Sequence, residues 1–163
     1  MDNLWAPWRM EYIMGEAGKI TDGCVFCAIV KEKNDSKNHI VYRGESCYVV
    51  LNKFPYNNGH LMVIPYAHLD DLLLLPDQVQ IECQLLINKT IAALRKSFNP
   101  QGINVGLNMG TAAGAGIAEH LHYHILPRWS GDTNFMPAIA GVKVISESLD
   151  ATYKKLKAAF KEL

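Results

Sequence analysis

The sequence predicts an α+β fold, a five-stranded antiparallel sheet with one long helix packed on it and a further helix at the C-terminus. Three observations carry this prediction. Short runs of β-branched and aromatic residues alternate with Gly, Pro and Asn turn signals. From Asp77 to Phe98 the apolar residues Val79, Cys83, Ile87, Ile91, Leu94 and Phe98 recur at steps of three and four, the period of an amphipathic helix. Leu149, Tyr153, Leu156, Phe160 and Leu163 repeat such a stripe near the chain's end.

Each element follows in order. Residues 1–23 hold scattered aromatics, end in GEAGKITDG, and read as an N-terminal arm that packs on the body. CVFCAIVKEK suits a short helix with Val25, Phe26 and Ile29 on one side. HIVYRGESCYVVLNK reads as a hairpin turning at Gly44, and GHLMVIP as a third strand closed by Pro65. NPQG stops the long helix, and INVGLN begins a fourth strand. AEHLHYHILPRW is read as the fifth. The last helix is expected from about residue 146 to 163. No repeat, low-complexity tract or linker divides the chain, so residues 1–163 are read as a single domain.

Composition narrows the function classes. Hydrophobic residues make up 49% of the 163, enough for a real core. Sixteen basic residues balance sixteen acidic ones, so no net field favours nucleic acid or a membrane surface. No apolar run approaches the roughly 20 residues that span a bilayer. The start, MDNLWAPWRMEYI, lacks a charged segment followed by an apolar one, and the expected location is cytoplasmic. Cys47 and Cys83 read as small apolar core residues.

The chemistry concentrates in AEHLHYHILPRW, where His120, His122 and His124 stand at alternate positions. In a strand such residues share one face, about 6.5 to 7 Å apart, while Leu121, Tyr123 and Ile125 turn to the buried side. Alternating histidines can bind a catalytic metal. Alternatively, one imidazole acts as a nucleophile while its neighbours fix its tautomer and handle the leaving group. The preceding NMGTAAGAGIAEH favours the second reading, because a Gly- and Ala-rich loop lets backbone N–H groups line an oxyanion site. A phosphate cradle beside a nucleophilic imidazole implies a covalent phosphorus–histidine intermediate.

The run His120-Leu121-His122-Tyr123-His124-Ile125-Leu126 resembles the signature of the histidine triad family, His-φ-His-φ-His-φ-φ with φ apolar. The resemblance extends from CVFCAIV through NNGHLMVIPYAHL to GDTNF. It implies a nucleotidyl hydrolase or transferase that works at the α-phosphate of nucleotides, without an organic cofactor, and that pairs as a homodimer through the long helix and a sheet edge. His122 would be the nucleophile and would carry the nucleoside monophosphate as a phosphoramidate. His124 would contact the phosphate or the leaving group's oxygen. Asn108 matches an asparagine reaching the phosphate region, Asn52 a ribose-binding position, and Val25, Phe26 and Ile29 the residues that enclose the base. Asn52 has a second reading as a cap of the turn NKFPYNNG.

The chain departs from the family at Gly116, where many members have Gln four residues before the first triad histidine. Backbone N–H groups of residues 114–117, with Gly114 and Gly116 leaving room, would take that role. Together with LWAPWRMEYI, the block GAGIAEHLHYHILPRWSGDTNF looks closest to a branch that cleaves diadenosine tetraphosphate with orthophosphate as acceptor, water being the alternative. Trp129 is then a candidate wall of the phosphate site. Cys24 and Cys27 form a Cys-x-x-Cys without the preceding strand of a thioredoxin-like redox pair. The resemblance completes a structural zinc site with His68 and His120. His60 is not assigned to zinc and is expected to pack near the triad. The rival readings are a metal-dependent hydrolase with all three triad histidines as ligands, and a nucleotide-binding signalling module.

Overall fold

The computed structural model describes residues 23–133 and 144–163, so all but the last residue of the expected N-terminal arm lies outside the described residues. Among these residues five strands form one sheet: β1 (Ile40–Arg43), β2 (Cys47–Leu51), β3 (Leu61–Pro65), β4 (Gly102–Leu107) and β5 (Tyr123–Arg128). They lie in the order β1-β2-β3-β5-β4, and every neighbouring pair is antiparallel. Three α-helices accompany them: α1 (Val25–Lys31), α2 (Asp77–Phe98) and α3 (Leu149–Lys161). Single 3-10 turns at Leu72–Leu74 and Thr111–Ala113 were not expected from the sequence. No helix among the described residues is long and apolar enough to cross a membrane.

The hairpin turns at Gly44, as expected. Its N–H donates to the Cys47 carbonyl at 2.8 Å, and Glu82 of α2 accepts from the Ser46 N–H at 2.7 Å. A Cβ on Gly44 would fall 2.2 Å from that Glu82 carboxylate, so a larger residue there would displace the carboxylate from the turn. In β2 the side chains alternate between two covered faces. Cys47, Val49 and Leu51 join Cys83, Leu86, Ile87 and Leu94 of α2 and Leu156 and Phe160 of α3. Tyr48 and Val50 turn the other way, to Met62, Ile64 and Phe26 of α1. Each fully buried Leu or Ile contributes about 1.5–3 kcal/mol, so the larger cluster dominates stability. Cys47 and Cys83 are buried core residues as expected, with their sulfurs 3.2 Å apart.

Helix ends explain two boundaries. Asn99 takes the left-handed conformation at φ 45° and stops α2 before Pro100. The last helix begins later than the expected 146, because the Ser148 hydroxyl accepts from the Ala151 N–H and makes Leu149 the first helical residue. A second correction concerns the histidine stretch. Regular strand begins only at Tyr123, so His120 and His122 lie on the segment leading into β5. There the Leu121 N–H donates to Leu69 at 2.7 Å instead of to a neighbouring strand.

Candidate active site and metal centre

The three histidines share a face as alternation dictates, but that face is not open. His120, His122 and His124 are 1%, 4% and 8% exposed, because α1 covers this side of the sheet. The Phe26 ring lies 5.5 Å from His120 and 5.0 Å from His122 between centroids. The expected division into a buried side and a histidine side is therefore corrected: both sides are covered. In β4, Gly106 pairs with His124, and a Cβ there would meet nothing within 4 Å.

Burial makes hydrogen bonding decisive, and each ring has one nitrogen committed to a different neighbour. His120 Nε2 lies 2.9 Å from the Pro65 carbonyl, which can only accept. Its proton is therefore on Nε2, leaving a lone pair on Nδ1. His122 Nδ1 lies 2.8 Å from the His120 carbonyl, so its proton is on Nδ1 and the lone pair on Nε2. His124 Nδ1 faces His60 Nε2 at 2.9 Å. Desolvation pushes the pKa of all three rings down, His124 to about 4 with help from His122. Around neutral pH the rings are neutral, which a nucleophile or metal ligand requires.

The His120 lone pair points at a group of donors. Its Nδ1 is 3.3 Å from Cys24 Sγ, 3.6 Å from Cys27 Sγ and 3.2 Å from His68 Nδ1. Cys27 Sγ is 3.6 Å from His68 Nδ1, and the four ligand atoms all lie within 4.8 Å of one another. Zinc–ligand bonds of about 2.0–2.3 Å give tetrahedral edges of about 3.3–3.8 Å, so this donor set fits zinc. The Pro65 carbonyl on His120 Nε2 is the outer partner that metal-bound imidazoles usually have. The thiols are half-buried, and burial with the neighbouring Cys24 raises the Cys27 pKa.

The remaining expected residues fall into three groups. Phe26 is buried against His122, with Val25 and Ile29 beside it in the smaller cluster. Asn108 follows the last β4 pair, Leu107 with Tyr123, and extending that register sets it beside His122. The loop returns to Asn108: a Cβ on Gly114, at φ 90°, would come 4.0 Å from its amide nitrogen. Gly116 has open space where a Cβ would be, which suits close approach of an anion.

Asn52 has its side chain engaged locally. Its oxygen accepts from the Phe54 N–H at 2.9 Å, and its amide nitrogen lies 3.3 Å from His60. The turn-capping reading describes these contacts. Trp129 lies five residues along from His124, about 16 Å of extended chain, and is not brought to the triad within this chain.

His60, 0% exposed and directly before β3, packs against the triad as expected. One link was not identified from the sequence. Asn57 and Asp132 tie the loop before His60 to the end of β5. The Asn57 amide donates to the Pro127 carbonyl at 3.1 Å and to Asp132 at 2.8 Å. The only signal for His60 is its place directly after NNG at a strand start.

Comparison with known proteins follows the same lines. A family model described as HIT domain matches residues 33–131. A Mycobacterium tuberculosis protein named AP-4-A phosphorylase is 39% identical over 161 residues, covering 96% of this chain and 83% of its own length. A HIT-like protein of Saccharolobus solfataricus is 33% identical across 69% of this chain and 79% of its own. Among solved structures, a Zn-bound histidine triad family protein from Mycobacterium smegmatis matches at a TM-score of 0.69. It shares 28% identity and covers 86% of this chain and 94% of its own.

Proposed function

Because the chain belongs to the HIT domain family, we propose that it is a nucleotidyl transferase acting at the α-phosphate of a dinucleoside polyphosphate, with His122 as nucleophile. The observation that carries this reading is the buried His122 ring, whose Nδ1–H donates to the His120 carbonyl at 2.8 Å and leaves a lone pair on Nε2, with the His124 ring 4.8 Å away between centroids. His122 Nε2 attacks the α-phosphorus, a P–N bond forms, and the P–O bond to the polyphosphate breaks with its electron pair on the leaving oxygen. The Nε2–H of His124 hydrogen-bonds that oxygen. The Nδ1–H of His122 to the His120 carbonyl stabilises the positive charge that the ring acquires. An acceptor then attacks the phosphoramidate, and the P–N bond breaks.

With diadenosine tetraphosphate the leaving group is ATP. Orthophosphate as acceptor yields ADP, and water yields AMP. The relative named AP-4-A phosphorylase supports phosphate, and phosphorylase is the activity proposed. The phosphate lies along the 114–117 loop and Asn108, and the base against Val25, Phe26 and Ile29. A structural zinc on Cys24, Cys27, His68 and His120 would supply a tether between α1 and the segment entering β5. The double displacement itself needs no organic cofactor. Free thiols suit a reducing compartment, and the cytoplasm is the proposed location.

Lone-pair directions argue against a metal shared by the three triad histidines: His120 Nδ1 faces the thiols, while His122 Nδ1 donates to a carbonyl. The test is chromatographic product analysis with diadenosine tetraphosphate, with and without orthophosphate. ADP formed only with phosphate supports the phosphorylase, and AMP with ATP in its absence makes water the acceptor. Tight AMP binding without any product would replace the transferase by a nucleotide-binding module.

A further inference from the structure

We infer that His60 is a positioning residue that holds His124 in the tautomer presenting its Nε2–H to the leaving oxygen. This rests on the proposed transfer at His122 for its catalytic meaning, but the tautomer follows from geometry alone. His60 is wholly buried. The backbone N–H of Tyr56 donates to its Nδ1 at 3.1 Å, and a backbone N–H can only donate. His60 Nδ1 therefore carries a lone pair. The Asn52 amide nitrogen lies 3.3 Å from the same atom, and its orientation is set because the Asn52 oxygen accepts from Phe54 N–H.

With Nδ1 accepting, the proton of neutral His60 is on Nε2, 2.9 Å from His124 Nδ1. His124 Nδ1 must accept, and its own proton goes to Nε2. The other tautomer of His124 would set two N–H donors against each other in a buried site, each losing its partner. The chain of donors thus begins in the turn after β2 and ends at the ring beside the nucleophile. The Tyr56 ring lies over both members, with centroids 4.8 Å from His60 and 5.7 Å from His124, and shields the bond from water. Asn57, which ties this turn to the end of β5, keeps the two rings in register.

The first readout is spectroscopic and needs no substrate. Long-range proton–nitrogen correlation spectra of the full, zinc-loaded chain with nitrogen-15 histidine report which ring nitrogen carries each proton. His124 is expected as the pure Nε2–H form and His122 as the pure Nδ1–H form; a proton on His124 Nδ1 overturns the inference, whatever any variant does. The second readout is kinetic. His60→Leu is expected to lower kcat on diadenosine tetraphosphate by about 10²-fold, with KM little changed. On the p-nitrophenyl ester of AMP, whose leaving group needs no donated proton, the loss is expected to stay within about threefold. His60→Gln, which retains an amide donor, is expected to recover most of the lost rate. An equal fall on both substrates would make His60 merely structural and overturn the inference. Should the wild-type chain turn over neither substrate, the transferase reading fails, and the spectrum still decides the tautomer.

Discussion

Three alternate histidines take three roles because each spare nitrogen meets a different partner: the Pro65 carbonyl, the His120 carbonyl and His60. Substitution separates these roles. His122→Ala removes the proposed nucleophile and one hydrogen bond, that to the His120 carbonyl, so turnover is expected to vanish while the chain stays folded. Residual activity near wild type would move the nucleophile elsewhere. The pH dependence of stability follows from burial. His124 titrates at about 4 in the fold against about 6.5 in an unfolded chain. Between those values the unfolded chain binds more protons, so stability is fully present above about pH 6.5 and falls as pH drops towards 4. The loss is about 3 kcal/mol, and lowered values at His120 and His122 act in the same direction. Thermal melts between pH 4 and 7 measure it, and His124→Gln is expected to flatten the curve. Alternation in the sequence disclosed the shared face of these residues. Their protonation did not show, because Pro65 and Tyr56 are dozens of residues away along the chain.

At the scale of elements, α1 is the dependent piece. Seven residues with no side-chain cap are too short to persist alone. The helix is held by Phe26, whose carbonyl accepts from the Tyr48 hydroxyl at 3.0 Å, and by the Cys24, Cys27, His68 and His120 cluster. Zinc removal by a chelator, or Cys24→Ser, is therefore expected to release α1 and residues 118–122 while β1–β3 and α2 keep their hydrogen-exchange protection. A loss of about 3 kcal/mol would lower the midpoint by about 10 °C. Metal analysis giving no zinc, or a midpoint indifferent to chelation, would remove this role. By contrast Leu156, fully buried under α3, ties that helix to the main core, and Leu156→Ala is expected to cost about 2–5 kcal/mol in denaturant melts without changing metal content.

The long helix and the hairpin could be read from periodicity because local pattern and tertiary burial agree there. The start of β5 could not. The segment holding His120 follows the Gly-rich loop and bonds to Leu69, a partner that no local signal names. Asn52 illustrates the same limit, since capping a turn and touching a ribose ask for the same residue type.

For the whole molecule the remaining question is what covers the outer edge of β4. Its residues are largely exposed, with Val105 at 47%, and among the described residues no strand pairs beyond it. Among the described residues this six-residue edge is unpaired on its outer side, which invites another strand. Val105 pairs with Ile125, whose side chain belongs to the α2 side, so the exposed valine and the long helix lie on one side of the sheet. Ile81 and Leu85, four residues apart on α2, are 53% and 60% exposed, more apolar surface than a lone helix face needs. A second copy meeting β4 and α2 about a two-fold axis would satisfy both, because an isologous contact requires one self-complementary patch. The expected state is a homodimer, twice the 18.2 kDa of one chain, measured by sedimentation at micromolar concentration. Val105→Glu combined with Ile81→Glu charges both the edge strand and the helix face, and is expected to give a folded monomer with its metal content unchanged. A wild-type chain that sediments as a monomer would leave β4 as a bare edge and end this reading. A dimer untouched by both substitutions would place the interface on another face.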